Sequence, residues 1–185
     1  MRKIFLFMFI TILFACGCND TAKIKQPEMK IVSQSFKDGE AIPADYTCTK
    51  GDKSPQLSWS VIPNGTASFA LVCEDLDAPK GVFTHWIIYN MPPVTTRLLE
   101  DQPKINYLPN SGIQGTNDFG NFGWAGPCPP PEKAHRYVFT IYALDIKLSI
   151  DKTPVTRSVF DEAIKDHVIA SAKITGTFEQ KTTKK

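Results

Sequence analysis

Six segments of this chain carry the residue pattern of β-strands, and one segment near the C-terminus carries the pattern of an amphipathic helix. Apolar and polar residues alternate along 56–62, as expected for a strand with one buried face, and 68–74 is a second clear strand segment. Residues 136–144 form a nearly continuous apolar and β-branched run, typical of a central strand. Strands and helices do not alternate, so the pattern predicts a mainly β fold, an antiparallel β-sandwich with a C-terminal helix. The other predicted strands are 30–36, 84–90 and 173–178.

The predicted helix runs from about Thr156 to Ala172, because its apolar residues recur at spacings of three and four and form one stripe. Residues 101–135 show no periodicity and are rich in Gly and Pro. This segment also contains Phe119, Phe122 and Trp124, whose rings can pack against the fold. We therefore expect an ordered loop that builds a pocket.

The N-terminus has the pattern of a bacterial export signal. Arg2 and Lys3 precede the apolar segment 4–15, which is shorter than the about 20 residues of a membrane-spanning helix. The sequence Leu-Phe-Ala-Cys that ends at Cys16 resembles a lipobox, and this resemblance implies cleavage before Cys16 and its acylation, for example with palmitate. Cys18 is the alternative acylated residue, and an ordinary secreted protein without lipid is a further alternative.

These features predict four parts of the chain: a signal peptide at 1–15, a lipidated tether at 16–28, one folded domain at 29–180 and a polar tail at 181–185. Two or three acyl chains would hold the protein stably on a membrane. The expected location is therefore the bacterial cell envelope, with the domain outside the cytoplasm.

The charge balance argues against nucleic acid as a partner. The chain has 21 Lys and Arg residues and 19 Asp and Glu residues. Loss of Arg2 and Lys3 with the signal peptide makes the two counts equal. A nucleic-acid surface needs clustered positive charge, so we expect none.

Five cysteines leave one pairing open. Cys16 and Cys18 belong to the N-terminal segment, and Cys73 lies on a predicted strand, where a thiol behaves as a small apolar residue. Cys48 and Cys128 lie in loops and could form a disulfide bond in an oxidising compartment. The alternative is three free thiols in the domain.

Polar residues that could carry chemistry lie next to three of the predicted strands. Asp75 and Asp77 are two residues apart, a spacing that puts both carboxylates on one side of an extended chain. The alternative is an Asx turn that closes the strand. His85 begins the next strand, and His135 and Tyr137 share a face at the start of the strongest one. Each of these residues alone is also compatible with a purely structural role.

Together these motifs resemble the phosphatidylethanolamine-binding protein family, and in particular its bacterial, Raf kinase inhibitor-like branch. The resemblance spans about residues 30–179, with the motifs in the family's order. The motifs are Asp-Leu-Asp-Ala-Pro at 75–79, His-Trp at 85–86, Gly-Thr-Asn-Asp-Phe-Gly at 115–120, Gly-Pro-Cys-Pro-Pro-Pro at 126–131 and His-Arg-Tyr at 135–137.

The resemblance implies a non-catalytic binding protein whose small pocket takes a phosphorylated or carboxylated ligand, without a cofactor. It also implies a cis peptide bond between Ala78 and Pro79, while Leu76 stands where the family usually has proline. The implied pocket consists of Asp75, Asp77, His85, His135 and Tyr137, with Pro79 at its rim.

Two other functions stay open. The first is an inhibitor or regulator of an extracytoplasmic enzyme, whose protein partner the sequence does not identify. The second is a hydrolase that uses the His and Asp residues, although the chain has no G-x-S-x-G motif and no Ser or Cys next to His85 or His135. Two distant histidines with an aspartate are not a specific zinc pattern, so we expect no metal.

Replacing Cys16 with serine tests the anchor, because serine lacks the thiol that is acylated. We expect Cys16→Ser to lose labelled palmitate and signal cleavage, as followed by metabolic labelling and electrophoresis. Cys18→Ser is the matched control and should keep both. Normal labelling and cleavage in Cys16→Ser would contradict the assignment.

Overall fold

The computed structural model describes residues 28–181, which form nine strands, one α-helix and a 3-10 helix at Ala44–Tyr46. The predicted signal peptide, the tether with Cys16 and Cys18, and most of the polar tail lie outside the described residues. The strands are β1 (Lys30–Val32), β2 (Leu57–Ser60), β3 (Ser68–Asp75), β4 (Phe83–Met91), β5 (Arg97–Leu98), β6 (Tyr107–Leu108), β7 (Gly112–Gln114), β8 (His135–Leu144) and β9 (Val168–Phe178), and helix α1 is Arg157–Ile164.

The strands form two sheets that pack as a sandwich. The larger sheet has the order β6-β7-β4-β3-β8-β9, and the smaller sheet has the order β1-β2-β5. Neighbouring strands within each sheet are antiparallel. The predicted fold class is therefore confirmed. No helix within residues 28–181 is long and apolar enough to cross a membrane.

Strand β3 is buried on both faces, which explains why its residues from Phe69 to Cys73 are all apolar. Phe69 and Leu71 point into the core that also contains side chains of β1 and β2. Ala70 and Val72 point to the opposite face, where they share a second core with Phe160 of α1. The side chains of a strand alternate between faces, so a strand covered on both sides needs apolar residues throughout.

The C-terminal helix is shorter than the sequence predicted. It begins near the expected residue but ends at Ile164, and β9 begins at Val168, within the range 156–172 predicted as helix. Strand β9 pairs with β8 along its whole length, from Leu144 opposite Val168 to His135 opposite Phe178. This ladder overrides the helical pattern of the intervening residues, because long-range pairing outweighs a weak local preference.

The segment 101–135 contains two short strands that its sequence does not reveal. Strand β7 pairs with β4 and β6, which attaches the segment to the large sheet. The buried amide of Gln114 strengthens this attachment: it accepts a hydrogen bond from Trp86 Nε1 at 2.6 Å and donates to the carbonyl oxygens of Pro103 and Ile105. Strands of two or three residues are too short to show periodicity.

A disulfide bond joins Cys48 to Cys128 across 80 residues of sequence. It links the loop after the 3-10 helix to the long loop before β8. Cys73 is a free, buried thiol in β3, and burial raises its pKa well above the ordinary value. The structure therefore adopts one of the pairings that the sequence left open.

Removing this disulfide should destabilise the domain, because the bond restricts the unfolded chain. We expect the Cys48→Ser/Cys128→Ser double variant to lose about 2–4 kcal/mol of unfolding free energy, measured by urea denaturation. A reductant should shift the unfolding midpoint of the original protein towards that of the variant and leave the variant unchanged. Equal unfolding midpoints for the original protein and the variant, both measured without reductant, would show that the bond contributes nothing to stability.

Candidate functional site

A cavity of about 200 Å³ lies at the end of the central strands of the large sheet. Three polar residues of the predicted site line it: Asp75 at the end of β3, His85 in β4 and His135 at the start of β8. The long loop between β7 and β8, residues 115–134, covers the other side of the cavity. The remaining lining residues are Ala78, Pro79, Phe83, Phe119, Cys128, Pro129 and Pro130.

The antiparallel register brings these residues together from distant parts of the chain. Asp75 lies opposite Tyr137 in the β3–β8 pairing, so the end of one strand meets the start of the other. Leu76 extends the pairing by one bond, because its N–H donates to the carbonyl oxygen of Arg136 at 3.0 Å. A proline at position 76 would have no N–H to donate. The departure from the family pattern therefore adds a backbone hydrogen bond.

Asp75 and His135 form a buried pair in the wall of the cavity. His135 Nδ1 lies 2.7 Å from Asp75 Oδ2, and both side chains are almost completely buried. Asp75 Oδ1 accepts the N–H of Asp77 at 2.8 Å, so the Asx turn is present together with the contact to histidine. His135 Nε2 is buried and has no hydrogen-bond partner among the described residues. One nitrogen of His135 is therefore fixed, and the other is available to a ligand.

His85 is held in a different state. Its Nδ1 lies 2.5 Å from the carbonyl oxygen of Ala125, which can only accept, so Nδ1 carries a proton. Burial lowers the pKa of His85 from its usual 6.5. The Ala125 carbonyl and the Asp75 charge raise this pKa, but their effects are smaller than that of burial. His85 is therefore neutral at neutral pH, with a lone pair on Nε2. Its ring packs against Phe83 and Tyr137 at centroid distances of 5.0 and 5.2 Å.

Tyr137 lies behind the cavity and is not part of its lining. The side chain is fully buried, and its hydroxyl has no hydrogen-bond partner among the described residues. Burial, together with the nearby Asp75 charge, raises the pKa of Tyr137 far above the ordinary value. The phenol therefore stays protonated and keeps a hydrogen atom to donate.

Asp77 differs from the expectation that both carboxylates enter one pocket. Its two oxygens bind the Arg136 side chain, with Nε and Nη2 each at 2.9 Å, and one oxygen also accepts the Arg136 N–H. The guanidinium lowers the pKa of Asp77 far below the usual range. The two-residue spacing predicts that Asp77 lies on the same side as Asp75, but the chain turns after β3 and directs the Asp77 side chain to Arg136. Asp77 is thus a structural contact at the rim.

Pro79 lines the cavity, as predicted, but the expected cis bond is wrong. The cis peptide bond in residues 28–181 is Thr153–Pro154, and Ala78–Pro79 is trans. The carbonyl oxygen of Ala78 accepts the N–H of Gly81 at 3.1 Å, which places Pro79 at the second position of a turn. A trans proline fits that position, so the turn does not require a cis bond.

Asn117 holds the loop that covers the cavity, and its role was not predicted. Its side-chain oxygen accepts the N–H groups of Phe119 and Asn121, and its nitrogen donates to the carbonyl oxygen of Gly123. Asp118 adds a link to the sheet by accepting the N–H of Thr84 at 2.7 Å. Both residues belong to the Gly-Thr-Asn-Asp-Phe-Gly motif, so the motif was the signal that could have identified them.

Hydrogen bonds also hold the same loop in place near Cys128. The N–H of Gly126 donates to Asp52 Oδ1 at 2.6 Å, and the N–H of Cys48 donates to the carbonyl oxygen of Pro127. A Cβ atom at Gly126 would lie 2.7 Å from the carbonyl oxygen of Tyr46, so only glycine fits this approach. The disulfide bond reinforces these contacts, and the cavity wall formed by the loop is therefore fixed.

The described residues do not favour a metal site. No group of three or more His, Cys, Asp or Glu side chains within residues 28–181 is placed to hold a metal ion. One oxygen of Asp75 accepts the backbone N–H of Asp77, and the other is bound to His135. The polar groups of the cavity are therefore arranged for hydrogen bonding.

Comparison with known proteins agrees with this fold. A family model described as phosphatidylethanolamine-binding protein matches residues 32–179. The chain belongs to the phosphatidylethanolamine-binding protein family. The match includes all of the strands from β2 to β9 and each residue that lines the cavity.

Two relatives resemble the chain over most of their length. A UPF0098 protein of Methanothermobacter thermautotrophicus is 42% identical over 152 residues, which cover 82% of this chain and 99% of the relative. A UPF0098 protein of Aquifex aeolicus is 44% identical over 155 residues, with coverages of 82% and 89%. The similarity is therefore not confined to the motifs at the cavity.

Two solved structures of family members have the same fold. A Chlamydia trachomatis protein described as a phosphatidylethanolamine-binding protein homologue superposes with a TM-score of 0.72 and 39% identity, covering 83% of this chain and 98% of that one. Escherichia coli YbcL, described as a new member of the mammalian family, gives a TM-score of 0.78 and 34% identity, with coverages of 84% and 100%.

Removing the Asp75 charge should lower the pKa of His85 further, because this charge partly offsets the effect of burial. We expect His85 in Asp75→Asn to titrate at a lower pH than in the original protein, as followed by NMR of the imidazole carbons. His167, which contacts Asp145 at the surface, is the internal reference, and its signals should coincide in both proteins. An unchanged His85 titration would contradict this electrostatic link.

Proposed function

We propose that this protein is a non-catalytic binding protein that holds a small phosphorylated or carboxylated ligand in the cavity formed by Asp75, His85 and His135. The observation that carries the proposal is the buried Nε2 of His135, which has no hydrogen-bond partner among the described residues and belongs to a side chain that lines the cavity. Buried polar atoms rarely stay without a partner. A ligand oxygen in the cavity would supply one.

The two histidines suit an anion that carries a proton. His135 donates from Nε2 when it is protonated, while its Nδ1–H remains bound to Asp75. His85 is neutral at neutral pH and accepts a hydrogen bond at Nε2, for example from the O–H of a monoprotonated phosphate. When His85 is protonated, it becomes a second donor. The same pair therefore recognises a phosphate or a carboxylate, and more strongly at lower pH.

The shape of the cavity also supports a small anionic group. Its volume of about 200 Å³ is below the roughly 300–1,000 Å³ typical of pockets for drug-sized molecules. Pro79, Phe83 and Pro130 supply apolar walls, which strengthen hydrogen bonds by excluding water. The family's name refers to a phospholipid with a phosphate in its headgroup, and a phosphate of this kind has the chemistry that the cavity fits.

We further propose that the protein is lipid-anchored in a bacterial cell envelope, with its domain outside the cytoplasm. The lipobox-like sequence that ends at Cys16 supports acylation. The Cys48–Cys128 disulfide supports an oxidising compartment, because disulfides persist mainly outside the cytoplasm. The membrane is then a partner through the anchor.

A binding role without catalysis agrees with the states of Cys128 and Cys73. Cys128 lines the cavity, but its sulfur is bonded to Cys48 and is not a nucleophile. Cys73 is buried, and its raised pKa keeps the thiol protonated. Covalent catalysis by a thiolate therefore has no support at this cavity.

Calorimetry with inorganic phosphate and phosphoethanolamine tests the proposed site. We expect His135→Ala to bind both probes at least tenfold more weakly, because the buried Nε2 that would contact the ligand is lost. His135→Gln is a second variant that keeps a polar side chain in the buried position, and it should also bind more weakly. His167→Ala is the matched control, since His167 lies outside the cavity and contacts Asp145. Unchanged affinity in both His135 variants would refute the site.

The affinity should also depend on pH in a defined direction. Burial lowers the pKa of His85 below 6.5, so this imidazole gains its charge only as the pH falls below that value. We expect the affinity for phosphate to increase as the pH falls through this range and to decrease as it rises. Calorimetry of the original protein and of His85→Gln measures this, and the variant should show the weaker pH dependence. Affinity that increases with pH would contradict the mechanism.

A further inference from the structure

The cavity of Asp75, His85 and His135 is called the anion cavity. A second, larger cavity lies beside it and has a different character. Its volume is about 760 Å³, within the range typical of pockets that bind small organic molecules. Three aromatic residues of the long loop line it: Phe119, Phe122 and Trp124. We refer to it as the aromatic cavity. None of its lining residues belongs to the predicted site.

The two cavities share part of their walls. Phe119 and Cys128 line both of them. Phe119 is 55% exposed and Cys128 is also exposed, so the partition between the cavities reaches the protein surface. The rings of His85 and Trp124, one from each lining, have centroids 6.4 Å apart. A ligand can therefore pass over the partition without a long linker.

The aromatic cavity fits a flat apolar group. Phe122 is 39% exposed, and exposed aromatic side chains that lie together often mark a binding site. The charged residues that line the aromatic cavity, Lys104 and Asp52, neutralise each other through an ion pair between Nζ and Oδ2 at 2.5 Å. An uncharged ring can stack on the phenylalanines and gains nothing from an additional charge.

Two of the three aromatic residues, Phe119 and Trp124, are held in position before any ligand arrives. Asn117 fixes the turn that carries Phe119, and its amide nitrogen binds the carbonyl oxygen that precedes Trp124. Phe119 also packs edge-on against Phe83, with centroids 4.7 Å apart. A preorganised surface loses little entropy on binding, which favours affinity.

We propose that the two cavities form one composite site for an aryl phosphate or a related aromatic anion. The anionic group occupies the cavity of His85 and His135, and the attached ring occupies the aromatic cavity against Phe122. This inference rests on the proposed anion-binding function and adds the class of the attached group. The chemistry is shared by phosphate esters of any flat aromatic alcohol.

Calorimetry of the purified full chain with inorganic phosphate, phenyl phosphate and 1-naphthyl phosphate tests the composite site. We expect 1-naphthyl phosphate to bind at least tenfold more tightly than inorganic phosphate, with phenyl phosphate between them. Phe122→Ala should remove most of this preference and leave phosphate affinity within twofold. Ile169→Ala is the matched control, because Ile169 has a similar exposure of 40% and lies on β9, outside both linings.

The outcomes separate the two proposals. Phosphate binding that is lost in His135→Ala, with equal affinity for all three probes, overturns the composite site and leaves the anion-binding function standing. A naphthyl preference that survives in Phe122→Ala also overturns the composite site. No binding of any probe contradicts both proposals. Phosphate binding by Phe122→Ala shows at the same time that the variant has folded, so a loss of ring preference supports the composite site.

Discussion

The antiparallel register between β3 and β8 is the constraint on which the rest of the site depends. It sets Asp75 opposite Tyr137 and puts His135 within hydrogen-bond distance of a carboxylate 60 residues earlier in the chain. A slip of one residue would turn Asp75 to the opposite face of the sheet. Such a slip is strongly disfavoured, because β3 is covered by apolar cores on both faces and each alternate side chain fits only one of them. The packing of the sandwich therefore fixes the geometry of a polar site at its edge.

The long loop between β7 and β8, residues 115–134, completes the site because several independent interactions hold it. Asn117 bonds its first turn internally, Asp52 holds the backbone of Gly126, and the disulfide ties Cys128 to a loop 80 residues earlier. A segment of this length without regular structure normally carries a high entropic cost. Distributing the restraints along the loop fixes the backbone that forms the wall of the cavity and that carries the aromatic residues beyond it. The loop can therefore offer a rigid binding surface without being part of a sheet.

Sequence periodicity predicted the parts of the fold in which burial alone determines the pattern. The long central strands were found because their side chains face apolar cores, whereas β6 and β7 were missed because two or three residues show no period. The end of α1 was misplaced because pairing with β8 decides where β9 begins. The motifs predicted that Asp75, His85 and His135 lie together, as they do at the cavity, but not the direction of Asp77. The direction of the Asp77 side chain depends on its ion pair with Arg136, and the position of Arg136 is set by the pairing of β8 with β3 in the folded protein.

Burial also connects the stability of the domain to its ligand. His135 Nε2 and the hydroxyl of Tyr137 are buried polar atoms whose hydrogen bonds no described residue satisfies. A buried polar group without a partner costs about 1–3 kcal/mol, and a fully apolar core would avoid this cost. The proposed ligand would recover part of this cost by a hydrogen bond to His135 Nε2, and only the folded chain offers this contact, since the unfolded chain does not hold the two histidines together. The proposed binding therefore links to folding by mass action, and the stabilisation of the domain would increase with the logarithm of the ligand concentration once this exceeds the dissociation constant.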